Sequence, residues 1–292
     1  MQIASQRSGP NAPYFRPRTL AEALDLLADT KGRVLAGGTD FYPQLGDRPV
    51  TFPVIDITGI ADLRGVTVSE THIRVGACVT WSEIVASDLP EACRALQLAA
   101  REVGARQIQN AGTVAGNLCN ASPAADGVPP LLALNAEVEM TAPEGISRIP
   151  LSDFIVGYRK TCLPPGALVT AVVIPRDIAG PSSFLKLGAR TSLVISIAMV
   201  AAIVETDAQN TITQARIAVG ACSAVAQRLF AAEAALRGQS FAPGFSRAVL
   251  ADHLAELTPI DDLRATSTYR QEAALILVRR TLEACLAERH DA

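Results

Sequence analysis

The segment Arg33-Val34-Leu35-Ala36-Gly37-Gly38-Thr39-Asp40 joins a short apolar strand to a turn that contains two consecutive glycines. Consecutive glycines let backbone N–H groups approach an anion closely, and the threonine that follows adds a hydroxyl donor. The same residues fit an ordinary tight turn equally well. Before this segment, Thr19 and Glu22 form a capping-box pattern, which predicts a helix from Leu20 that ends at Gly32.

The rest of the chain alternates short strands with helices and then changes character after a linker at residues 175–181. A polar segment at residues 106–126, with glycine and asparagine, is predicted to be a long loop. Beyond the linker, three antiparallel strands followed by helical segments indicate an α+β domain. The predicted strands lie at 33–36, 54–58, 66–68, 72–76, 138–140, 147–151, 168–174, 183–188, 194–205 and 211–220, and the later helices at 224–237, 245–257 and 268–289.

A second motif lies within the predicted long loop. It is Gly112-Thr113-Val114-Ala115-Gly116-Asn117, which continues to Ala121-Ser122-Pro123-Ala124-Ala125-Asp126. Taken alone, it also fits a small polar surface loop. Two loops of this kind in one chain could hold a diphosphate from both sides. The chain contains neither a P-loop motif nor the dinucleotide-binding glycine fingerprint after a strand.

Composition excludes several classes of protein. The formal net charge is −3 and no run of Lys or Arg exceeds two residues, which argues against nucleic-acid binding. The longest apolar run, 193–204, is too short to span a membrane. The first residues lack the pattern of a signal peptide, so we expect a cytoplasmic protein. Six cysteines without a C-x-x-C pair indicate free thiols and no metal site, and the three histidines are scattered.

The two motifs together resemble those of a known family, the FAD-binding domain or medium subunit of the xanthine dehydrogenase and carbon monoxide dehydrogenase type. Further stretches of the chain are similar to the same family, at residues 15–20, 151–154, 157–161, 172–175, 216–220 and 269–270. The resemblance covers nearly the whole chain. With the element pattern, it implies an α+β fold in three parts: a small α/β subdomain at 1–55, a mixed or antiparallel sheet subdomain at 56–176, and a three-stranded antiparallel sheet with a helical bundle at 177–292.

The resemblance also implies which residues contact noncovalently bound FAD, with no catalytic acid, base or nucleophile and no metal ligand. One departure from the family is Ala115, where many relatives have glycine, and its methyl group is expected to weaken binding. The implied contacts are Val34, Leu35, Ala36, Gly37, Gly38, Thr39, Asp40 and Phe41 in the first loop, Thr113, Ala115, Gly116 and Asn117 in the second, and Asp126, Val169 and Lys186. By their residue type alone, Val169 fits a core strand and Lys186 a solvated surface charge.

The function implied by the resemblance is electron relay within a molybdenum hydroxylase. Molybdopterin would lie on a large partner subunit and two [2Fe–2S] clusters on a small one, in a dimer of heterotrimers, and FAD on this chain would pass electrons to NAD⁺, oxygen or quinone. One alternative is a self-sufficient flavin-dependent oxidoreductase of the same superfamily. Another is a partner-binding protein that has lost its flavin. The sequence does not identify the substrate of the complex or its acceptor.

Overall fold

A computed structural model describes residues 12–190 and 193–288. The first unit is a small parallel sheet with strand order β1-β3-β2 and two helices. Thr19 caps the first helix by accepting from the N–H of Glu22, and Lys31, rather than the predicted Gly32, is the left-handed residue at its end. The elements are β1 (Tyr14–Phe15), α1 (Leu20–Thr30), β2 (Arg33–Leu35), α2 (Phe41–Leu45) and β3 (Val54–Asp56).

The second unit is a five-stranded antiparallel sheet in the order β4-β5-β10-β6-β7, flanked by short helices. Its central strand is buried along almost its whole length, as its largely apolar sequence predicts. The elements are β4 (Val66–Val68), β5 (His72–Gly76), α3 (Trp81–Ala86), α4 (Arg94–Glu102), α5 (Arg106–Ala111), α6 (Val114–Asn120), α7 (Val128–Ala133), β6 (Glu137–Ala142), β7 (Gly145–Pro150), α8 (Leu151–Phe154), β8 (Ile155–Gly157), β9 (Lys160–Thr161) and β10 (Leu168–Pro175).

The predicted loop at 106–126 is wrong for most of its length. It contains two helices, α5 and α6, of six and seven residues. Thr113 caps α6 by accepting from the N–H of Gly116 at 3.0 Å. The helix ends at Ala121, which has a left-handed backbone. Gly112 and Thr113 join the two helices, and residues 121–127 form a longer non-helical connection, which we call the 121–127 segment.

The C-terminal unit is an antiparallel sheet in the order β11-β12-β13-β14, covered on one face by helices. The prediction missed the fourth strand, which has only two residues. It also started the second strand too early and placed an α-helix at 245–257, where the chain forms two 3₁₀ turns. The elements are β11 (Ser182–Leu187), β12 (Ala198–Thr206), β13 (Ile212–Gly220), β14 (Gln227–Arg228), α9 (Phe230–Leu236) and α10 (Ser267–Glu288).

The C-terminal sheet is buried on both faces. Met199, Ala201 and Ile203 on β12 belong to the core shared with the first two units, whereas the alternate residues Val200 and Ala202 pack with α10 in a second core. Successive residues of β12 therefore face two different cores, which explains why this strand is an unbroken apolar run. The α+β class is therefore confirmed, whereas the domain bounds at 1–55, 56–176 and 177–292 stay a prediction. Expectations that rested on residues 1–11, 191–192 and 289–292 lie outside the described residues.

Within the described ranges, no helix has both the length and the apolar character needed to cross a bilayer.

Candidate cofactor site

A cleft of about 540 Å³ opens between the first unit and the helices of the second. Both motifs contribute to its walls. All the predicted contacts line it except Leu35, Asp126 and Lys186. Its lining comprises Val34, Ala36, Gly37, Gly38, Thr39, Asp40, Phe41, Gln44, Ile57, Ala77, Trp81, Val103, Ile108, Gly112, Thr113, Ala115, Gly116, Asn117, Cys119, Asn120, Leu163, Ala167, Leu168 and Val169.

The first wall is the turn after β2, which parallel pairing with β3 fixes in place. Gly38 has a φ of +73°, which side-chain-bearing residues rarely adopt. Gly37 is required for a different reason, since a β-carbon there would overlap the backbone carbonyl of Ala111. The two motifs therefore touch each other directly. Leu35 is buried beneath this wall, at 5% exposure, and does not reach the cleft.

Backbone N–H groups are the main hydrogen-bond donors of the cleft. Among the described residues, the N–H groups of Gly37, Gly38, Thr39 and Asp40 donate no internal hydrogen bond, nor does that of Ala115 in the first turn of α6. Main-chain donors of this kind must find a partner in water or a ligand. Donors clustered on two facing walls suit the oxygens of a diphosphate.

The second wall is helical, which changes the role of its small residues. Ala115 and Gly116 lie within α6, so neither needs a positive φ, and the methyl group of Ala115 is accommodated. A β-carbon on Gly116 would meet the side chain of the helix cap, Thr113, with the hydroxyl oxygen at 2.7 Å. A larger side chain at Gly116 would therefore project toward the cleft.

Asn117 supplies an unsatisfied polar atom in this wall. Its buried Oδ1 has no hydrogen-bond partner among the described residues. Such atoms are rare in folded proteins and normally find a partner in water or a ligand. Next to it lies the only tryptophan of the chain, Trp81, which is 1% exposed and also lines the cleft.

The remaining lining is largely apolar and comes from the second unit. Val169 lies there with Leu168, at the start of the central strand β10. Ile57, Ala77 and Leu163 extend this lining. An apolar surface beside a set of backbone donors suits a molecule that has both a diphosphate and a flat ring system.

Asp126 and Lys186 are brought together, but outside the cleft lining. Lys186 Nζ lies 2.7 Å from Asp126 Oδ2, and each side chain is only 8% exposed. The interpretation of Lys186 as a solvated charge is therefore wrong. Ser196 donates to Asp126 Oδ1 at 2.9 Å. Burial raises the pKa of Asp126, and the contacts with Lys186 and Ser196 partly offset this rise.

Sequence reasoning missed several residues of the cleft, among them Trp81 and Leu163, and it left Gly112, the first residue of the second motif, out of the implied contacts. Trp81 carried a usable signal, because it is the single tryptophan and directly follows the capping residue Thr80. Gly112 precedes α6 and lies close to Thr39. A β-carbon on Gly112 would be 3.2 Å from the hydroxyl oxygen of Thr39. Leu163 stands in an unremarkable Cys-Leu-Pro stretch and offered no signal.

Comparison with known proteins identifies the family of the chain. Residues 6–177 match the family model described as FAD binding domain in molybdopterin dehydrogenase, and residues 183–285 match the CO dehydrogenase flavoprotein C-terminal domain. The nicotine 6-hydroxylase medium subunit of Paenarthrobacter nicotinovorans is 31% identical over 281 residues, which cover 94% of this chain and 96% of the relative. The carbon monoxide dehydrogenase medium chain of Afipia carboxidovorans is 30% identical over 279 residues, which cover 92% and 95%.

A solved structure is similar over nearly the same length. It is carbon monoxide dehydrogenase from Hydrogenophaga pseudoflava, in a form that lacks the Mo-pyranopterin moiety of the molybdenum cofactor. The TM-score is 0.87 at 28% identity, with 95% of this chain and 98% of that chain covered. The fold and the site thus define a flavoprotein component of an oxidoreductase. The chain belongs to the FAD-binding subunits of the molybdenum hydroxylase family, of the xanthine dehydrogenase and carbon monoxide dehydrogenase type.

Proposed function

We propose that the chain is an electron relay. It takes electrons from the [2Fe–2S] clusters of a partner subunit and delivers them, through one noncovalently bound FAD, to an external acceptor. When bound, FAD supplies the chemistry of the relay, since it accepts two electrons and passes them on. The chain's own part is to bind, orient and shield the cofactor.

The observation that carries this proposal is the set of unpartnered donors on two touching walls of one cleft. The free N–H groups of Gly37 to Asp40 and of Ala115 are placed to hold the diphosphate. Asn117 contributes to the second wall, and its buried Oδ1 has no partner among the described residues. Val34, Phe41 and Val169 provide apolar contact for its rings. Thr113 and Gly116 shape the second wall.

Asp126 and Lys186 are assigned a supporting part in the same site. They are buried beside the second motif, and the family resemblance implies FAD contact at both positions. Their charges balance each other at 2.7 Å, which lets two ionised groups remain in a poorly solvated place. Leu35 supports the first wall from beneath.

The partners follow from the relatives. Several are named as the medium subunit or medium chain of a dehydrogenase or hydroxylase. We propose that this chain likewise assembles with a small [2Fe–2S] subunit and a large molybdopterin subunit, as a dimer of heterotrimers in the cytoplasm. The acceptor is NAD⁺, oxygen or quinone.

The test uses the purified full-length chain loaded with FAD. Dithionite should reduce the bound flavin, and a dye should reoxidise it. The chain alone should not oxidise purines, N-heteroaromatics, aldehydes or carbon monoxide, and should gain such an activity when the cluster-bearing and molybdenum-bearing subunits are added. Substrate turnover by the lone chain at ~1 s⁻¹ or more would favour a self-sufficient flavoenzyme instead.

A matched pair of glycine variants tests the site itself. Gly116→Val should abolish FAD binding, seen as loss of absorbance near 450 nm, because the new side chain projects toward the cleft. Gly157→Val is the control, since Gly157 lies on β8 outside the cleft lining and a β-carbon there meets nothing within 4 Å. Equal FAD affinity in both variants would refute the site.

A further inference from the structure

The 121–127 segment is held in place by the C-terminal unit. Ser196 and Lys186 bind the two carboxylate oxygens of Asp126, at 2.9 and 2.7 Å. The N–H of Ala221 donates to the carbonyl of Pro123 at 2.9 Å. Residues from β11, from the end of β13 and from the approach to β12 thus converge on one short connection of the second unit.

This connection continues directly into the wall of the cofactor cleft. Gly127 follows Asp126 and packs so closely against the ring of Trp81 that a β-carbon on Gly127 would overlap the indole. The same β-carbon would lie 3.0 Å from Oδ1 of Asn117. Trp81 and Asn117 both line the cleft. A shift of Asp126 would therefore be transmitted through Gly127 to two residues of the site.

Among the residues that hold the 121–127 segment, Ser196 is the one whose effect on the cofactor site can be tested separately. It is 2% exposed, and its hydroxyl provides one of the two side-chain contacts to the Asp126 carboxylate. A hydrogen bond to a charged, buried acceptor is stronger than one between neutral groups. Removing it leaves one carboxylate oxygen without this donor in a place that water barely reaches, so the carboxylate must move or draw in water.

We propose that Ser196 is a positioning residue for the cofactor site, acting through Asp126 and Gly127 to hold Trp81 and Asn117. The C-terminal unit then completes the FAD site without lining it. This inference rests on the proposed FAD site, and its test is chosen so that the two can fail separately.

The test compares two buried serines that both bridge the C-terminal unit and the second unit. Ser182 is the control, since it accepts from the N–H of Ala95 and donates to the carbonyl of Glu91, each at 2.9 Å, at the opposite end of β11 from Lys186. Trp81 is the reporter, because it is the only tryptophan and lines the cleft. FAD affinity is measured from quenching of Trp81 emission in the full-length apoprotein, and the emission wavelength without FAD is recorded.

Ser196→Ala should weaken FAD binding about tenfold and shift the free-chain emission of Trp81 to the red, because the 121–127 segment loosens. Ser182→Ala should lose a similar amount of thermal stability and leave both readouts unchanged. Ser196→Cys is the gentler variant if the alanine protein does not fold, because the thiol has a similar size and is a weak donor. Its FAD affinity and Trp81 emission should lie between those of the wild type and Ser196→Ala.

Three results separate the possibilities. Wild-type affinity and emission in the foldable Ser196 variants would overturn the inference while leaving the FAD site intact. An equal loss in Ser182→Ala would overturn it too, by showing that any weakening of the contact between units has this effect. If FAD does not quench Trp81 in the wild-type chain, the proposed site fails first and the inference with it.

Discussion

Gly37 is where the two walls of the cleft meet, and it has no room for a side chain. We expect Gly37→Ala to cost about 1–3 kcal/mol of unfolding free energy, the usual cost of overpacking, because the methyl group must push Ala111 away. The same displacement separates the donors on the two walls, so FAD affinity should fall as well. Thermal unfolding and a flavin titration measure the two effects.

The control for this prediction is Gly157→Ala, at a position with open space around the β-carbon. Both readouts should stay close to wild type in this variant. A Gly37→Ala protein that is as stable as the control would show that the two walls do not depend on this contact.

At the scale of residues, the sequence predicted many of the residues that line the cleft, but it did not predict the contacts that require them there. The double glycine fits an anion-binding turn and an ordinary tight turn equally well by sequence, yet Gly37 is needed for its approach to Ala111, a residue 74 positions later. The pairing of Asp126 with Lys186 spans 60 positions, and Ser196 joins them from 70 positions away. Nothing local in a sequence reports contacts of this range.

At the scale of elements, the main error was the predicted loop at 106–126. Helices α5 and α6 have only six and seven residues, too few to establish an apolar period, and their glycine and asparagine content is typical of turns. They form because tertiary packing buries Val114 and Leu118 and because Thr113 caps α6. By contrast, the long apolar strands β10 and β12 were predicted within a few residues.

Glu139 joins several strands of the five-stranded sheet and gives that sheet a pH dependence. It accepts from Arg74 on β5, Arg148 on β7 and Thr170 on β10. Burial alone would raise the pKa of Glu139, but the hydrogen bonds from Arg148 and Arg74 outweigh it and hold the pKa below its ordinary value. The ionised form is therefore favoured in the folded state.

A carboxylate with a lowered pKa stabilises the fold above the pKa of the unfolded chain and loses that effect as the pH falls. The wild-type chain should lose stability as the pH falls below about 4.5, the ordinary glutamate value. Glu139→Gln should be less stable than the wild type by about 1 kcal/mol at pH 7. The effect is small because Arg148 is partly solvated, which weakens its ion pair with Glu139. This variant should also lose less stability than the wild type on acidification. Denaturant unfolding at pH 7 and pH 4 measures this.

Glu144→Gln is the matched control for this pH dependence. Glu144 lies exposed in the turn between β6 and β7, on the same hairpin as Glu139. The free energy of unfolding of Glu144→Gln should equal that of the wild type at both pH values. An acid response in Glu139→Gln as steep as that of the wild type would assign the pH dependence to other carboxylates.

At the scale of the whole molecule, the chain should carry one FAD, released completely on denaturation. Binding through main-chain donors and packing forms no covalent bond, so acid precipitation should leave a colourless pellet and a yellow supernatant with one flavin per chain. Flavin that stays with the denatured protein would point to the one cysteine in the cleft lining, Cys119, as an attachment site. A Cys119→Ser variant would then distinguish attachment from incomplete unfolding.

The proposed dependence of the cleft on Ser196 also predicts an order of events during protein synthesis. A ribosome completes both glycine motifs by Asn117, but it adds Ser196 only 79 residues later. At about 5–20 residues per second, that is a delay of roughly 4–16 s. During this interval the nascent chain contains both motifs and lacks the serine that we propose positions Trp81 and Asn117. We therefore expect capture of the flavin to be a late event in the synthesis of this protein, timed by the emergence of its C-terminal sheet.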